Sequence, residues 1–206
     1  MKLNKKQVHI LSVAEKLFAE NGFDGTSVRT IAKEADVNVA MISYYFGSKE
    51  KLLETFLLYR IADFRNELVK VINQEKSFLE RLDNLIELII HRIHSKRRMY
   101  KIIHFEFSNE TRGFDFKAYT KEKLESFKTI KAFVEKGQEA GVFIKNVNVE
   151  LLMPTVQGSY FNFYYNKRFY KTLIPLENDV AVDIYVHQTL TKHIQQTIKS
   201  LLTNEI

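Results

Sequence analysis

Between residues 26 and 49 the chain sets hydroxyls and an amide (Thr26, Ser27, Asn38, Ser43), two adjacent phenols (Tyr44, Tyr45) and two cations (Arg29, Lys49) within a short span. Side chains of these types donate hydrogen bonds and stack on other molecules. They form neither a nucleophile–base pair nor an acid–base pair of recognisable spacing. No phosphate-cradling glycine loop and no nucleophile motif occurs elsewhere, so no catalytic residue is assigned and the chain is not expected to be an enzyme. One spacing does approach that of a metal site: Glu87 precedes His91 by four residues and His94 follows it by three. A single helix supplying two histidines is a weak metal signal, so neither a metal nor a cofactor is expected.

Composition bounds the rest. The 206 residues carry a formal charge of +6, which suits a polyanionic partner without choosing between nucleic acid and a membrane surface. Only 7 Gly and 2 Pro leave few of the turns that an all-β architecture needs, so long helices are expected. The absence of cysteine excludes a disulfide framework and thiolate metal ligands, and fits a reducing interior. The start, MKLNKKQVH, lacks the apolar stretch of a signal peptide, and no apolar run approaches the roughly 20 residues of a membrane span. A soluble, cytoplasmic protein with no membrane partner is the expectation.

Helical periodicity supplies the elements that would position these side chains. Ile10, Leu11, Ala14, Leu17 and Phe18 share one face of a first helix, about 5–20, which Asn21-Gly22 stops. A short second helix begins at Thr26 or Ser27, whose hydroxyl accepts from a first-turn N–H, and runs to about 35 with Val28, Ile31, Ala32 and Ala35 inward. Asp36-Val37-Asn38 makes a tight turn into a third helix, about 39–45, ended by Phe46-Gly47. Ser48 and Glu50 open a long fourth helix reaching about 73. Apolar stripes continue over 78–93 and 124–134, the latter closed by Gly137 and Gly141, and two last helices are expected at about 149–166 and 178–202. The fold class is all-α, with an N-terminal three-helix unit containing a helix-turn-helix (1–48) and a larger helical domain (49–206).

Residues 22–52, GFDGTSVRTIAKEADVNVAMISYYFGSKEKL, strongly resemble the DNA-binding segment of the TetR family of bacterial transcriptional regulators. The match lies within about the first quarter of the chain, and the rest resembles the family in helical style only. Asp36 stands where the family often has a turn glycine, and Asp tolerates the left-handed backbone needed there. Val39-Ala40 and Ser43 also depart from common residues, so no base preference is carried over. The resemblance implies that Asn38, Val39, Ala40, Ser43 and Tyr44 face a major groove about 12 Å wide, because Val37, Ile42 and Phe46 fill the inner angle. Asn38 or Ser43 would bond a base edge, and Val39 or Ala40 would touch a thymine methyl. Thr26, Ser27, Tyr45 and Lys49 suit phosphates, while Arg29 reaches either a base or a phosphate. The competing assignments are a cap alone for Thr26 and core for the tyrosines. Lys2, Lys5 and Lys6 form a basic arm or a merely solvated end.

The family also implies a homodimer, with the last two helices pairing into a four-helix bundle, and a small-molecule effector in the helical body. Aromatic residues concentrate between 99 and 170; Phe105, Phe127, Tyr160, Phe161 and Tyr164 are the candidate ligand contacts, and they point to an apolar or aromatic effector. The run HRIHSKRRMYK at 91–101 attracts an acidic ligand or, as the simpler account, is a solvated helix end complementing the dipole. The favoured function is a repressor released by its effector from a near-palindromic double-stranded operator. The alternatives are an activator or ligandless DNA-binding regulator and, third, an all-α metalloprotein or enzyme built on Glu87, His91 and His94.

Overall fold

A computed structural model describes residues 3–62, 64–108 and 114–203, among which every regular element is helical. The helices are α1 (Lys5–Asn21), α2 (Val28–Glu34), α3 (Val39–Phe46), α4 (Lys49–Ile61), α5 (Phe64–Ile72), α6 (Phe78–Ser95), α7 (Arg97–Ser108), α8 (Lys117–Glu139), α9 (Leu152–Tyr165), α10 (Lys167–Tyr170), α11 (Asp179–Tyr185) and α12 (Thr191–Leu202). A 3₁₀ turn, Val149–Leu151, leads into α9, and a π-helical turn, Val186–Leu190, joins α11 to α12. Two compact units divide the chain: Met1–Arg65 with Lys96–Glu125, and Asn66–Ser95 with Ser126–Ile206.

In the first unit the helix starts are written in the sequence. Asn4, Ser27, Asn38 and Ser48 each accept a first-turn backbone N–H, and Asn4 with Gln7 completes a capping box. Each such cap is worth about 1 kcal/mol. Ile10, Leu11, Ala14, Leu17 and Phe18 are buried together with Ile31, Ala32, Ile42, Phe46, Leu52, Leu53, Phe56 and Leu57, so three short helices and α4 share one core. Burying each large apolar side chain contributes roughly 1.5–3 kcal/mol, which offsets the ordering of helices too short to stand alone. Arg60 of α4 pairs with Glu15 of α1. The Lys101 Nζ of α7 donates to the Ala19 carbonyl at the end of α1 (2.7 Å), and Met99 and Ile102 join the same core. The sequence pattern did not single out α7.

Two backbone positions shape the helix-turn-helix. Asp36 adopts φ +50, the conformation expected from its place in the turn, and Val37 N–H closes back on the Ala32 carbonyl at 3.0 Å. Replacing Asp36 by Gly should leave the melting temperature unchanged or raise it slightly. Asp36→Val, branched at Cβ where the left-handed backbone crowds it, should lower stability by about 1–2 kcal/mol in a urea titration. Gly47 ends α3 at φ +80, a region an L side chain rarely enters, and turns the chain within two residues into α4.

The second unit packs α6, α9, α11, α12 and the later part of α8 through Leu82, Leu85, Ile86, Ile89, Ile90, Ile93, Phe133, Val134, Phe143, Val156, Tyr160, Phe163, Val186, Ile194 and Ile198. Gly137 does not close the helix as expected. It lies inside α8, where an added Cβ would stand 2.1 Å from the Phe143 ring, and Gly141 at φ +72 follows the helix end instead. The fourth helix expected to reach about 73 appears as α4 and α5, with residue 63 outside the described residues. No helix among the described residues is long and apolar enough to cross a membrane.

Candidate nucleic-acid interface

Helix α3 is held by two buried side chains, Ile42 and Phe46, and by its Asn38 cap. Residues that are neither core nor cap therefore face outward. Val39, Ala40, Ser43 and Tyr44 are exposed, and Tyr44 is bare over 84% of its surface, an aromatic ring that nothing in its own unit covers. Tyr45 is half-buried against the core and lies 5.4 Å from the Tyr44 ring, which places it at the rim of this surface. Arg29 on α2 is exposed. These side chains offer apolar, hydroxyl and guanidinium contacts on neighbouring short helices, a combination able to meet base edges and phosphates.

Four expected contacts take on a different character. Thr26 is buried, and its hydroxyl donates to the Leu17 and Gly22 carbonyls (3.1 and 2.8 Å), so it is not free to meet a phosphate; Ser27 is the cap of α2. The Ser27 Oγ accepts from Thr30 N–H at 3.0 Å and stands 2.8 Å from the Thr30 hydroxyl. Asn38 remains exposed, but its carboxamide oxygen accepts from Ala40 N–H (2.9 Å), leaving its amide N–H groups for an outside partner. Lys49 is the largest departure. Its ammonium donates to the Phe23 and Thr26 carbonyls at 2.9 and 3.0 Å and sits 4.1 Å from the Phe23 ring centre, so it clamps the turn before α2 to the start of α4. An ammonium has three donors, and the third is directed by neither carbonyl.

Nearby, Ser48 caps α4 through Lys51 N–H, and its hydroxyl is the main cause that holds the Glu50 carboxyl below the usual carboxylate range. No local pattern announces the Lys49 clamp, because its partners lie more than twenty residues away in the sequence. The Lys5 and Lys6 side chains are exposed on α1, and Lys2 lies outside the described residues.

The proposed ligand contacts divide between the two units. Phe105 belongs to the first and is 58% exposed, so it lines no enclosed space there. In the second, Tyr160 is fully buried and stacks at 5.7 Å on Tyr164, Phe161 lies 5.3 Å from Tyr160, and Phe127 is half-buried on α8. Beside Tyr160 stands a polar centre missed from sequence. His94 Nδ1 is 2.8 Å from the Tyr160 hydroxyl and Nε2 is 2.7 Å from Asp183 Oδ1, linking α6, α9 and α11. The His187 ring is 5.2 Å from His94 and 5.3 Å from His91. With both His94 nitrogens engaged this way, the Glu87, His91 and His94 metal set is not assembled, and no cluster of three or more His or acidic residues able to hold a metal occurs among the described residues.

Comparison with known proteins agrees with this geometry. Residues 10–56 match the model of the bacterial regulatory proteins of the tetR family. Over that segment the chain is similar to the DNA-binding domain of the TetR family. It is similar to YttP of Bacillus subtilis, 37% identical over 112 residues, which is 52% of each chain. It is also similar to IcaR of Staphylococcus aureus, the negative transcriptional regulator of the biofilm operon icaADBC, 29% identical over 110 residues covering 53% of this chain and 58% of IcaR. The chain thus spans just over half the length of these relatives. Across nearly the whole chain the fold matches that of the transcriptional regulator FadR of Bacillus subtilis, whose structure holds stearoyl-CoA, with a TM-score of 0.74, 17% identity and coverage of 94% of this chain and 97% of FadR. The chain therefore shares the all-helical fold of these regulators, an N-terminal helix-turn-helix followed by a larger helical body.

Proposed function

We propose that this protein is a TetR-family, ligand-responsive transcriptional repressor that binds a near-palindromic operator as a homodimer and leaves it on binding an apolar or aromatic small molecule. The bare Tyr44 ring on the outer face of α3, beside Val39 and Ser43, carries the reading. An 84% exposed aromatic on a helix whose other face is buried is a contact surface awaiting a partner. Residues 1–48 form the DNA-binding domain and 49–206 the effector-binding and dimerisation domain. In it α3 enters the major groove, with Val39, Ala40, Ser43 and Tyr44 at base edges. Asn38 reaches out through its amide donors, while Arg29, Ser27, Tyr45 and the third Lys49 donor meet the backbone.

Support for the dimer comes from the second unit. Leu151, Val180 and Ile184 are exposed around α9 and α11, apolar surface that the unit does not cover itself. A twofold pair would set two α3 helices about 34 Å apart, one DNA turn. The aromatic group of Tyr160, Phe161 and Tyr164, with His94 as its polar centre, is the side from which an effector, also met by Phe127 of α8, would shift the equilibrium by binding the released state more tightly.

Selection of bound duplexes from a random pool by the purified protein tests the proposal, with a two-half-site consensus as the expected product. On that duplex, Tyr44→Ala should weaken binding about tenfold, or roughly 1.4 kcal/mol, with the fold intact. Ser43→Ala and Val39→Ala should change the preferred bases more than the affinity for random DNA. Enrichment of no sequence, or a Tyr44→Ala protein that binds as tightly as the parent, would overturn it.

A further inference from the structure

Ser27 caps helix α2, so the four residues before that cap decide where α2, and after it α3, points. Two anchors of that turn arise within the first fifty residues: the Thr26 hydroxyl on the Leu17 and Gly22 carbonyls, and the Lys49 ammonium on the Phe23 and Thr26 carbonyls. The third comes from far along the chain. The buried Phe23 ring lies between Phe18, at 5.5 Å, and Phe114, whose ring meets it edge-on at 4.8 Å and 87°, while Lys49 sits 4.1 Å from its centre. Phe114 is itself tied down. Phe116 packs on it at 5.4 Å, Asp115 N–H donates to Glu54 Oε1 of α4 at 3.2 Å, and Asp115 accepts from Lys117 N–H at the start of α8 at 3.1 Å, with Tyr119 buried one turn on.

We infer that Phe114 is a positioning residue for the DNA-binding helices: the segment leading into α8 acts as a strap whose ring fixes Phe23 and, through the carbonyls that Lys49 holds, the start of α2. The physical reason is that an edge-to-face pair restricts both the position and the tilt of a ring, whereas an aliphatic contact restricts position alone. A ring that meets both a cation and a perpendicular ring loses part of one contact or the other when it tilts. The backbone of residues 23–26 therefore inherits its register from residue 114. This inference rests on the reading that α2 and α3 bind DNA.

The test uses the full-length protein and the duplex that the wild type selects from a random pool. Phe114→Ala should weaken binding to that duplex about tenfold and binding to random duplex less than about threefold, because misaimed helices lose base contacts before phosphate contacts. Amide hydrogen exchange at residues 23–34 should accelerate in the free protein, and Phe114→Tyr should restore both readouts. Unchanged exchange at 23–34, or equal losses on both duplexes, would overturn the role of Phe114. If Phe114→Ala does not fold, Phe114→Leu is read by the same exchange measurement, and unaltered exchange there counts against the strap. A wild-type protein that selects no duplex overturns the DNA-binding reading instead, and exchange in the free protein still decides whether Phe114 holds the turn.

Discussion

Replacing Lys49 by Met should lower the stability of the N-terminal helices by about 2–4 kcal/mol and weaken binding to every duplex by at least about a hundredfold. The ammonium joins the turn at Phe23 and Thr26 to the first residue of α4, across 26 and 23 residues of sequence, and both bonds are partly shielded from water. Hydrogen bonds from a charged donor are worth roughly 1.5–3 kcal/mol each in such a setting, and two from one group do not add fully. Methionine keeps much of the apolar stem against Phe23 while removing the donors, so the loss isolates the clamp. The slope of log affinity against log salt should also become shallower by about 0.9, the share of one phosphate contact. Lys49→Arg should keep the slope but lose much of the stability, since a planar guanidinium cannot aim at two carbonyls as a rotating ammonium does. A melting curve and salt titration identical to the parent's would show that Lys49 is an ordinary surface cation.

In the second unit, His94→Leu should lower the melting temperature by roughly 5–15 °C, the counterpart of about 2–4 kcal/mol in a chain of this size. His94 is 4% exposed and binds the Tyr160 hydroxyl and Asp183 at once, so one side chain fastens α6 to α9 and to α11. Leucine fits the volume but offers neither bond. A double-mutant cycle with Asp183→Asn should return a coupling of roughly 1 kcal/mol, because the second substitution removes a partner the first has already abandoned. Additive effects would mean that the 2.7 Å contact contributes nothing of its own. The π-helical turn at Val186–Leu190 starts three residues after Asp183 and brings His187 to His94, with the Thr191 hydroxyl donating to the Val186 carbonyl at 2.8 Å. Loss of His94 should therefore be felt as faster amide exchange across 183–191.

Much of the head was legible because its information is local. Caps at Asn4, Ser27, Asn38 and Ser48 and the apolar faces of α1, α2 and α3 are statements about residues one to four positions apart, and the helical repeat converts them into structure without reference to the remainder of the chain. The positive φ of Asp36 belongs to the same class. An outward α3 surface then follows by subtraction, once Ile42 and Phe46 are assigned to the core.

The sequence by itself determined that the chain is helical, where its first three helices begin and end, and which side of α3 stays outside the core. Tertiary structure alone decided what the polar side chains do. It turned the Thr26 hydroxyl inward, made Lys49 a clamp, set Phe114 against Phe23, and gathered His94, Tyr160 and Asp183 from three helices. The difference is one of range: periodicity and capping act over a single helical turn, whereas a hydrogen-bond donor takes whichever acceptor the folded chain brings within about 3 Å, and that pairing leaves no trace in the spacing of residues.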